Sequence, residues 1–103
     1  MKSKMLTLLG FAAKSGNLSY GFSAAKEALN RKKAKLILIS SDISEKSKKE
    51  IIFTANQSNI SFLTLADTDI FELSNAVGHK CGIISVNENG FAKAIKEEIL
   101  NDQ

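Results

Sequence analysis

Leu36-Ile37-Leu38-Ile39 is a continuous apolar run, and the polar residues 40–42 end it. A strand with one face in water alternates apolar and polar residues, whereas a strand covered on both faces is apolar throughout. The run therefore predicts a strand in the middle of a sheet, with helices packed on both faces.

Two helices are predicted before this strand, from apolar residues at helical spacing. The first ends near Gly16, where we expect a left-handed cap, and the second begins at Gly21. Residues 17–20 between them form a turn or a minor strand. The predicted buried faces are Met5, Leu8, Leu9 and Ala12 in the first helix, and Phe22, Ala25, Ala28 and Leu29 in the second.

The alternation of helices and strands continues after residue 42. The predicted elements are, in order, a helix capped by Ser44, a strand over residues 60–65, a short helix capped by Asp67 or Thr68 and ended by Gly78, a strand over residues 82–86, and a helix that follows Gly90. Such alternation requires a sheet covered on both faces. The predicted fold class is α/β, a three-layer α/β/α sandwich with a central mixed four-stranded sheet.

Length and composition fit a single domain over residues 1–103, because 44% hydrophobic residues supply one ordinary core and no linker-like stretch interrupts the chain. No run approaches the roughly 18 apolar residues of a membrane span. We therefore expect a cytoplasmic protein with no membrane partner, and we expect it to be a monomer.

No pattern typical of catalysis is found. The phosphate-binding motifs G-x-G-x-x-G and G-x-x-x-x-G-K-S/T do not occur. With only one cysteine, Cys81, and one histidine, His79, the chain cannot form an internal disulfide or a His/Cys zinc site of its own. A hydrolase using these two residues is the weakest hypothesis, since a thiol beside a strand usually packs and no third group orients a base. We predict no catalytic residues, no metal ligands and no cofactor.

Aspartates follow two of the predicted strands, where open α/β sheets often place functional groups. They are Asp42, Asp67 and Asp69. We interpret them as helix caps, because aspartate just before a helix satisfies orphan backbone amides.

Positive charge is concentrated in the first third of the chain. Residues 1–35 hold eight Lys and Arg against one acid, Glu27, a net charge of +7, which leaves −4 for the rest of a chain of total charge +3. This asymmetry favours a polyanionic partner, although a solvated lysine surface explains the charge alone equally well. We assign residues 31–35 mainly to the dipole of the preceding helix. Lys14, Gly16, Gly21 and Ser23 indicate instead a phosphate contact at the start of that helix, the alternative being that the glycine is only a cap.

An ordered set of segments resembles the ribosomal protein L7Ae/L30e superfamily. The segments are Lys14-Ser15-Gly16, Gly21-Phe22, Ala34 to Ile39 followed by Asp42, Glu72 to Gly78, and Asn89 to Lys93. The last of these is similar to the final helix of the bacterial L7Ae-like subgroup. The resemblance covers nearly the whole chain. It implies an α/β/α sandwich that binds kink-turn or similar internal-loop RNA, with the N-terminus of the second helix in the bent groove.

The chain departs from the family at the expected RNA site, where members commonly show Gly-x-Asn-Glu-x-x-Lys. The corresponding positions here hold Gly21, Ser23, Ala24 and Glu27, and Ser74 replaces a glycine of a later pattern. Lys26 is a partial replacement for the missing lysine, although adjacent helix positions point about 100° apart.

The resemblance implies RNA contacts from two segments, the start of the second helix and a loop at residues 78–83 that meets an extruded nucleotide in the family. The predicted RNA-binding residues are Lys14, Gly21, Phe22, Ser23, Lys26, Lys80, Cys81 and Ile83. In the loop, Lys80 is expected to meet phosphate, and Cys81 or Ile83 to pack on a base.

Structured RNA, either a kink-turn or ribosomal RNA, is the expected partner, and the ribosome is one expected setting. The alternative is a protein–protein interaction module on the same fold that has lost kink-turn binding. Glu27 on the second helix and the acidic remainder of the chain favour that alternative.

Overall fold

Helices and strands alternate through residues 2–101, which are the residues that the computed structural model describes. The elements are α1 (Lys2–Lys14), β1 (Leu18–Tyr20), α2 (Phe22–Asn30), β2 (Leu36–Ile39), α3 (Glu45–Gln57), β3 (Phe62–Thr64), α4 (Ile70–Val77), β4 (Ile83–Val86) and α5 (Asn89–Asn101). The predicted order is confirmed. None of these helices has the length and apolar character needed to cross a membrane.

The strands form one sheet in the order β1-β4-β2-β3, so β2 is an interior strand. It pairs antiparallel with β4, where Leu38 lies opposite Ile84, and parallel with β3, where Leu38 lies opposite Leu63. β1 pairs antiparallel with β4 and forms the edge. The prediction of a mixed sheet around a doubly covered strand is confirmed, since all four residues of β2 are buried.

The core has two halves, one on each face of the sheet, because successive side chains of a strand point to opposite faces. Leu36 and Leu38 join a cluster with residues of α1, α4 and α5, while Ile37 and Ile39 join a cluster with residues of α2 and α3. Burying a side chain of this size contributes about 1.5–3 kcal/mol. The four residues of β2 therefore pack against the helices on both faces of the sheet, and the three-layer α/β/α sandwich is confirmed.

The sheet has two ends, which we call upper and lower, and α2 runs from one to the other. At the upper end the Gly21 amide donates to the Ile83 carbonyl over 2.8 Å. At the lower end the Lys35 amide donates to the Val86 carbonyl over 2.7 Å. The first turn of α2 is thereby fixed beside the start of β4, and the turn after α2 is fixed beside the end of β4.

Side chains cap the starts of α3 and α4. The Ser44 hydroxyl accepts from the Ser47 amide at α3, as predicted. At α4 the cap is Asp69, whose carboxylate accepts from the Glu72 amide over 2.8 Å. The prediction of Asp67 or Thr68 was wrong because α4 begins at residue 70, directly after Asp69.

The start of α5 is held by Glu88, a cap that sequence patterns did not reveal. Its carboxylate accepts from the amides of Gly90 and Phe91, each over 2.8 Å. These amides hold the pKa of the Glu88 carboxyl below its usual range. Gly90 consequently lies inside α5 rather than ahead of it.

Candidate nucleic-acid interface

The N-terminus of α2 is open to an anionic ligand. Its N-cap is Gly21, with φ 91° and ψ 168°, and no side chain caps the helix. L side chains rarely adopt that φ, so glycine is required here by conformation rather than by space. First-turn amides lack partners within the helix and carry partial positive charge. While α3, α4 and α5 satisfy such amides with side-chain oxygens, α2 leaves them for another acceptor.

The loop between α4 and β4, residues 78–82, lies beside this helix start. Ser74 of α4 fastens it, since the Ser74 hydroxyl accepts from the Cys81 amide over 3.0 Å and donates to the Cys81 carbonyl over 3.2 Å. Lys80 precedes this clamp and is exposed. Its ammonium is therefore presented from a backbone that is tied to a helix.

Gly82 packs the end of the loop closely against β2 and its neighbours. A Cβ added here would lie 2.7 Å from Ile43 Cδ1, 3.0 Å from Ile70 Cγ1 and 3.2 Å from Ser40 Oγ. The Gly82 carbonyl also accepts from the Ser40 amide over 2.9 Å. The absence of a side chain lets β4 start against the end of β2.

Tyr20 and His79 join the edge strand to the same loop. Their ring centroids are 4.1 Å apart with an interplanar angle of 17°, a stacked arrangement. Burial raises the pKa of the Tyr20 hydroxyl, which keeps it a neutral group at ordinary pH. Both rings line a cavity of about 320 Å³ together with Lys14 and Asn75. The stack joins β1 to the loop, and Lys14 at the end of α1 lines the same cavity.

Five of the predicted RNA-binding residues lie around the upper end of the sheet: Gly21, Phe22, Ser23, Lys80 and, across the cavity, Lys14. The side chains of Lys14, Ser23 and Lys80 are exposed, and Phe22 is half-buried against the core between α2 and α3. We call these five residues the upper surface. It offers two cations, a hydroxyl and open amides.

Two predicted residues do not belong to this surface. Cys81 and Ile83 are only 5% and 1% exposed, and each is part of a core cluster. The expected contact of either side chain with a base is at odds with this burial. The prediction of a base contact rested on the position of these residues in the loop. Their packing in the core is not visible in the local sequence pattern.

The structure gives His79 and Cys81 separate roles. Burial raises the pKa of the Cys81 thiol, so the thiol remains protonated and a poor nucleophile at neutral pH. The His79 ring stacks on Tyr20 and is not aligned as a base for the Cys81 thiol. Within residues 2–101, no group of three or more His, Cys, Asp or Glu is arranged to hold a metal ion.

Lys26 is occupied by a partner that sequence analysis did not identify. Its ammonium lies 3.4 Å from the Glu50 carboxylate of α3 and 5.9 Å from the centroid of the Phe22 ring. Glu27 likewise pairs with Arg31 over 3.1 Å. Both charges are paired, so a phosphate that contacts Lys26 would compete with Glu50 for the ammonium.

Three supporting residues were missed or misjudged from sequence. Ser74 stood out only as a departure from a family glycine, although its hydroxyl clamps the loop. A glycine at the start of a strand, such as Gly82, is a usable signal for close backbone approach. Glu50 gives no such signal, because it lies 24 residues from Lys26.

Proteins similar to this chain are known. An RNA-binding protein YlxQ from Enterococcus faecium is 27% identical over 101 residues, spanning 95% of this chain and 93% of that protein. A solved protein of unknown function from Bacillus halodurans C superposes with a TM-score of 0.89 at 27% identity, covering 97% of this chain and 98% of the other. The Giardia lamblia 15.5kD RNA binding protein shares the fold with a TM-score of 0.74 at 16% identity, covering 98% and 85%. The sequence pattern of the ribosomal protein L7Ae/L30e/S12e/Gadd45 family matches residues 3–96, and the chain belongs to that family.

Proposed function

We propose that the protein is a non-catalytic, monomeric, single-domain RNA-binding protein of the cytoplasm that recognises kink-turn-like RNA, free or on the ribosome. The upper surface is the proposed contact. The Enterococcus faecium relative is an RNA-binding protein, which supports an RNA ligand.

One observation is central to the proposal: the start of α2 has no side-chain cap and lies next to the anchored loop that presents Lys80. Amides at a helix start bind phosphate well, and an exposed lysine adds a cation from a second direction. Two such elements at a fixed distance recognise a bent backbone by its shape. Structured RNA is read largely in this way.

Direct titration tests the proposal with three RNAs: a kink-turn, the same RNA with its non-Watson–Crick pairs mutated, and a plain duplex. Each is measured at low and at near-physiological salt. The expected result is tighter binding to the intact kink-turn at both salt concentrations, with affinity falling as salt rises. Equal binding to all three RNAs would overturn kink-turn recognition and leave only a general affinity for RNA.

A matched pair of variants tests the surface. Ser23→Glu places a carboxylate at the open amides of α2, so it should stabilise the helix start while excluding phosphate. Thr7→Glu adds the same charge at an exposed position of α1. We expect Ser23→Glu to abolish the kink-turn preference while raising the melting temperature, and Thr7→Glu to preserve RNA binding. Loss of binding in both variants would point to net charge instead.

The second candidate function is protein binding on the same fold, and one observation favours it. Phe11 of α1 and Phe71 of α4 are 56% and 72% exposed. Phe11 lines a groove of about 570 Å³ between these helices. If the kink-turn titration fails, Phe11→Ser and Phe71→Ser should reduce binding to a protein partner.

A further inference from the structure

A second group of cations lies at the lower end of the sheet. Lys35, Lys93 and Lys96 line one cavity of about 280 Å³, together with Ser61 and Asn89. The turn after α2 adds Lys32 and Lys33, both exposed. We call these five lysines the lower cationic surface. The fold brings them together from the turn before β2 and from the first two turns of α5.

These lysines are not neutralised by carboxylates. Among residues 2–101, the ion pairs use Lys2, Lys4, Lys26 and Arg31 as their cations. Lys96 donates to the hydroxyl of Ser61 over 3.2 Å, which orients the ammonium without cancelling its charge. The Glu88 carboxylate at this end is engaged by backbone amides. Within the described part of the chain, none of these five lysines is therefore neutralised in an ion pair, and the ionised Glu88 carboxylate, whose pKa is lowered by its amide partners, only reduces the positive potential at this end.

The backbone conformation at Lys32 is uncommon for a lysine. Lys32 has a left-handed φ of 61° at the end of α2, where its amide bonds to Leu29 and that of Lys33 bonds to Ala28. The corresponding positions after α1 and α3 are Gly16 and Asn59, with φ of 75° and 56°. Glycine and asparagine adopt this conformation readily, whereas lysine does so at an energetic cost. Lysine therefore occupies a position that suits glycine or asparagine better, and its ammonium complements the dipole of α2 while remaining exposed.

We propose that the lower cationic surface is a second RNA site, which holds the phosphate backbone of the helix flanking the segment bound at the upper surface. The inference rests on the proposed function. The exposed groups of the lower cationic surface and its cavity are ammonium, hydroxyl and amide groups, which hydrogen-bond phosphate. Leu36 and Ala92, which also line the cavity, are buried. Among the described residues, no aromatic ring lines the cavity to stack on a base, so we expect contacts with phosphate to predominate over contacts with bases.

The two surfaces are far enough apart to require a longer RNA. From Gly21 to Lys32 the chain follows α2, and eleven helical steps span about 16 Å. The described part of the protein measures 30 × 26 × 26 Å. A kink-turn with a short stem would reach the upper surface alone, whereas an additional helical turn on one stem would extend to the lower cationic surface.

Two RNAs and two charge-matched variants test this inference. The RNAs are a minimal kink-turn and the same kink-turn with one stem extended by a helical turn. The lower variant is Lys35→Gln/Lys93→Gln/Lys96→Gln, and the control is Lys46→Gln/Lys48→Gln/Lys49→Gln on α3, which removes the same charge. The native protein and the control should bind the extended RNA more tightly than the minimal one. The lower variant should bind the two equally, and its salt dependence on the extended RNA should fall by about one unit of log–log slope per lost phosphate contact.

Each outcome decides between the two proposals. A lower variant that keeps the preference for the extended RNA overturns the second site, and so does a control that loses the preference equally. A native protein that prefers no kink-turn refutes the proposed function instead. In that case binding to the plain duplex still tests the lower cationic surface, because the lower variant must show a smaller salt slope than the control.

Lys32→Gly distinguishes a role of Lys32 in RNA binding from a role in stability alone. Relief of the left-handed lysine should raise the melting temperature by about 4 °C. The same change should weaken binding to the extended RNA and leave the minimal RNA unaffected. Asn59→Gly is the control, because it alters the corresponding position after α3 without removing charge. A more stable Lys32→Gly protein with unchanged affinity for the extended RNA would contradict the proposal.

Discussion

The two ends of α2 differ in how they are constructed. At the upper end the backbone is fixed by Ser74, Gly82 and the Tyr20–His79 stack, and the nearby ammonium of Lys26 is paired with Glu50. At the lower end, lysines that form no ion pair among residues 2–101 surround a cavity of about 280 Å³. The upper end therefore depends on geometry, and the lower end depends on charge. Changes to packing should affect shape recognition, while changes to lysines should affect salt dependence.

The largest effect is expected from Gly82→Ala. The added methyl group would meet Ile43 and Ile70 inside van der Waals contact, and overpacking of this kind costs about 1–3 kcal/mol of unfolding free energy. The loop should shift, so that kink-turn preference falls while the salt slope stays constant. Chemical denaturation and RNA titration measure the two quantities.

A second substitution provides the control for Gly82→Ala. Ile43→Val removes the Cδ1 atom that lies 2.7 Å from the added Cβ. Adding Ile43→Val should therefore recover part of the stability and part of the kink-turn preference. Lack of any recovery would mean that Ile43 does not determine the position of the loop.

Ser74→Ala should have the next largest effect. It removes both hydrogen bonds to the Cys81 backbone, and leaving a partly buried amide unsatisfied costs about 1–2 kcal/mol. Hydrogen exchange at the Cys81 amide should accelerate. Ser15→Ala removes a hydroxyl that donates to the Phe11 and Ala12 carbonyls and accepts from the Asn17 side chain, outside the loop, and it should leave exchange in the loop unchanged. Equal acceleration in both variants would rule out a specific clamp.

His79→Ala should have a smaller effect on the upper surface. An aromatic pair contributes about 0.5–1.5 kcal/mol beyond the area that it buries. Loss of the stack on Tyr20 should loosen the loop and lower kink-turn affinity by a comparable free energy. His79→Phe keeps a ring at this position and should retain most of the affinity. If His79→Phe binds as weakly as His79→Ala, the imidazole contacts RNA directly.

Local sequence patterns predicted the parts of the fold that depend on neighbouring residues. The doubly buried β2, the left-handed Gly16 and the Ser44 cap each follow from a few adjacent positions. Hydrophobic spacing supplied the helices between them. The family resemblance and the alternation rule predicted a central mixed four-stranded sheet, but the strand order β1-β4-β2-β3 was not predicted.

The supporting contacts of the site could not be predicted in this way. Glu50 reaches Lys26 from another helix, and the ring of His79 meets Tyr20 across a wide sequence separation. Such pairs are set by tertiary packing, which no local window contains. The lower cationic surface has the same origin, because Lys35 and Lys96 become neighbours only when α5 packs beside β2.

The smallest predicted effect compares the two ends of α2 directly, because it uses two substitutions that each remove one negative charge. Glu50→Gln frees Lys26 near the upper surface, and Glu27→Gln frees Arg31 near the lower one. Both pairs are substantially exposed, and such pairs contribute about 0.2–1 kcal/mol. Glu50→Gln should raise affinity for the minimal kink-turn by at most about fivefold. Glu27→Gln should raise affinity for the extended RNA more than for the minimal one, since it removes a carboxylate from a position of the family RNA motif and also frees Arg31, which precedes the lysines of the lower cationic surface. If both variants strengthen binding of the minimal RNA equally, long-range electrostatic attraction acts at both ends of α2. The upper end would then not depend on geometry, nor the lower end on charge, in the way that we propose.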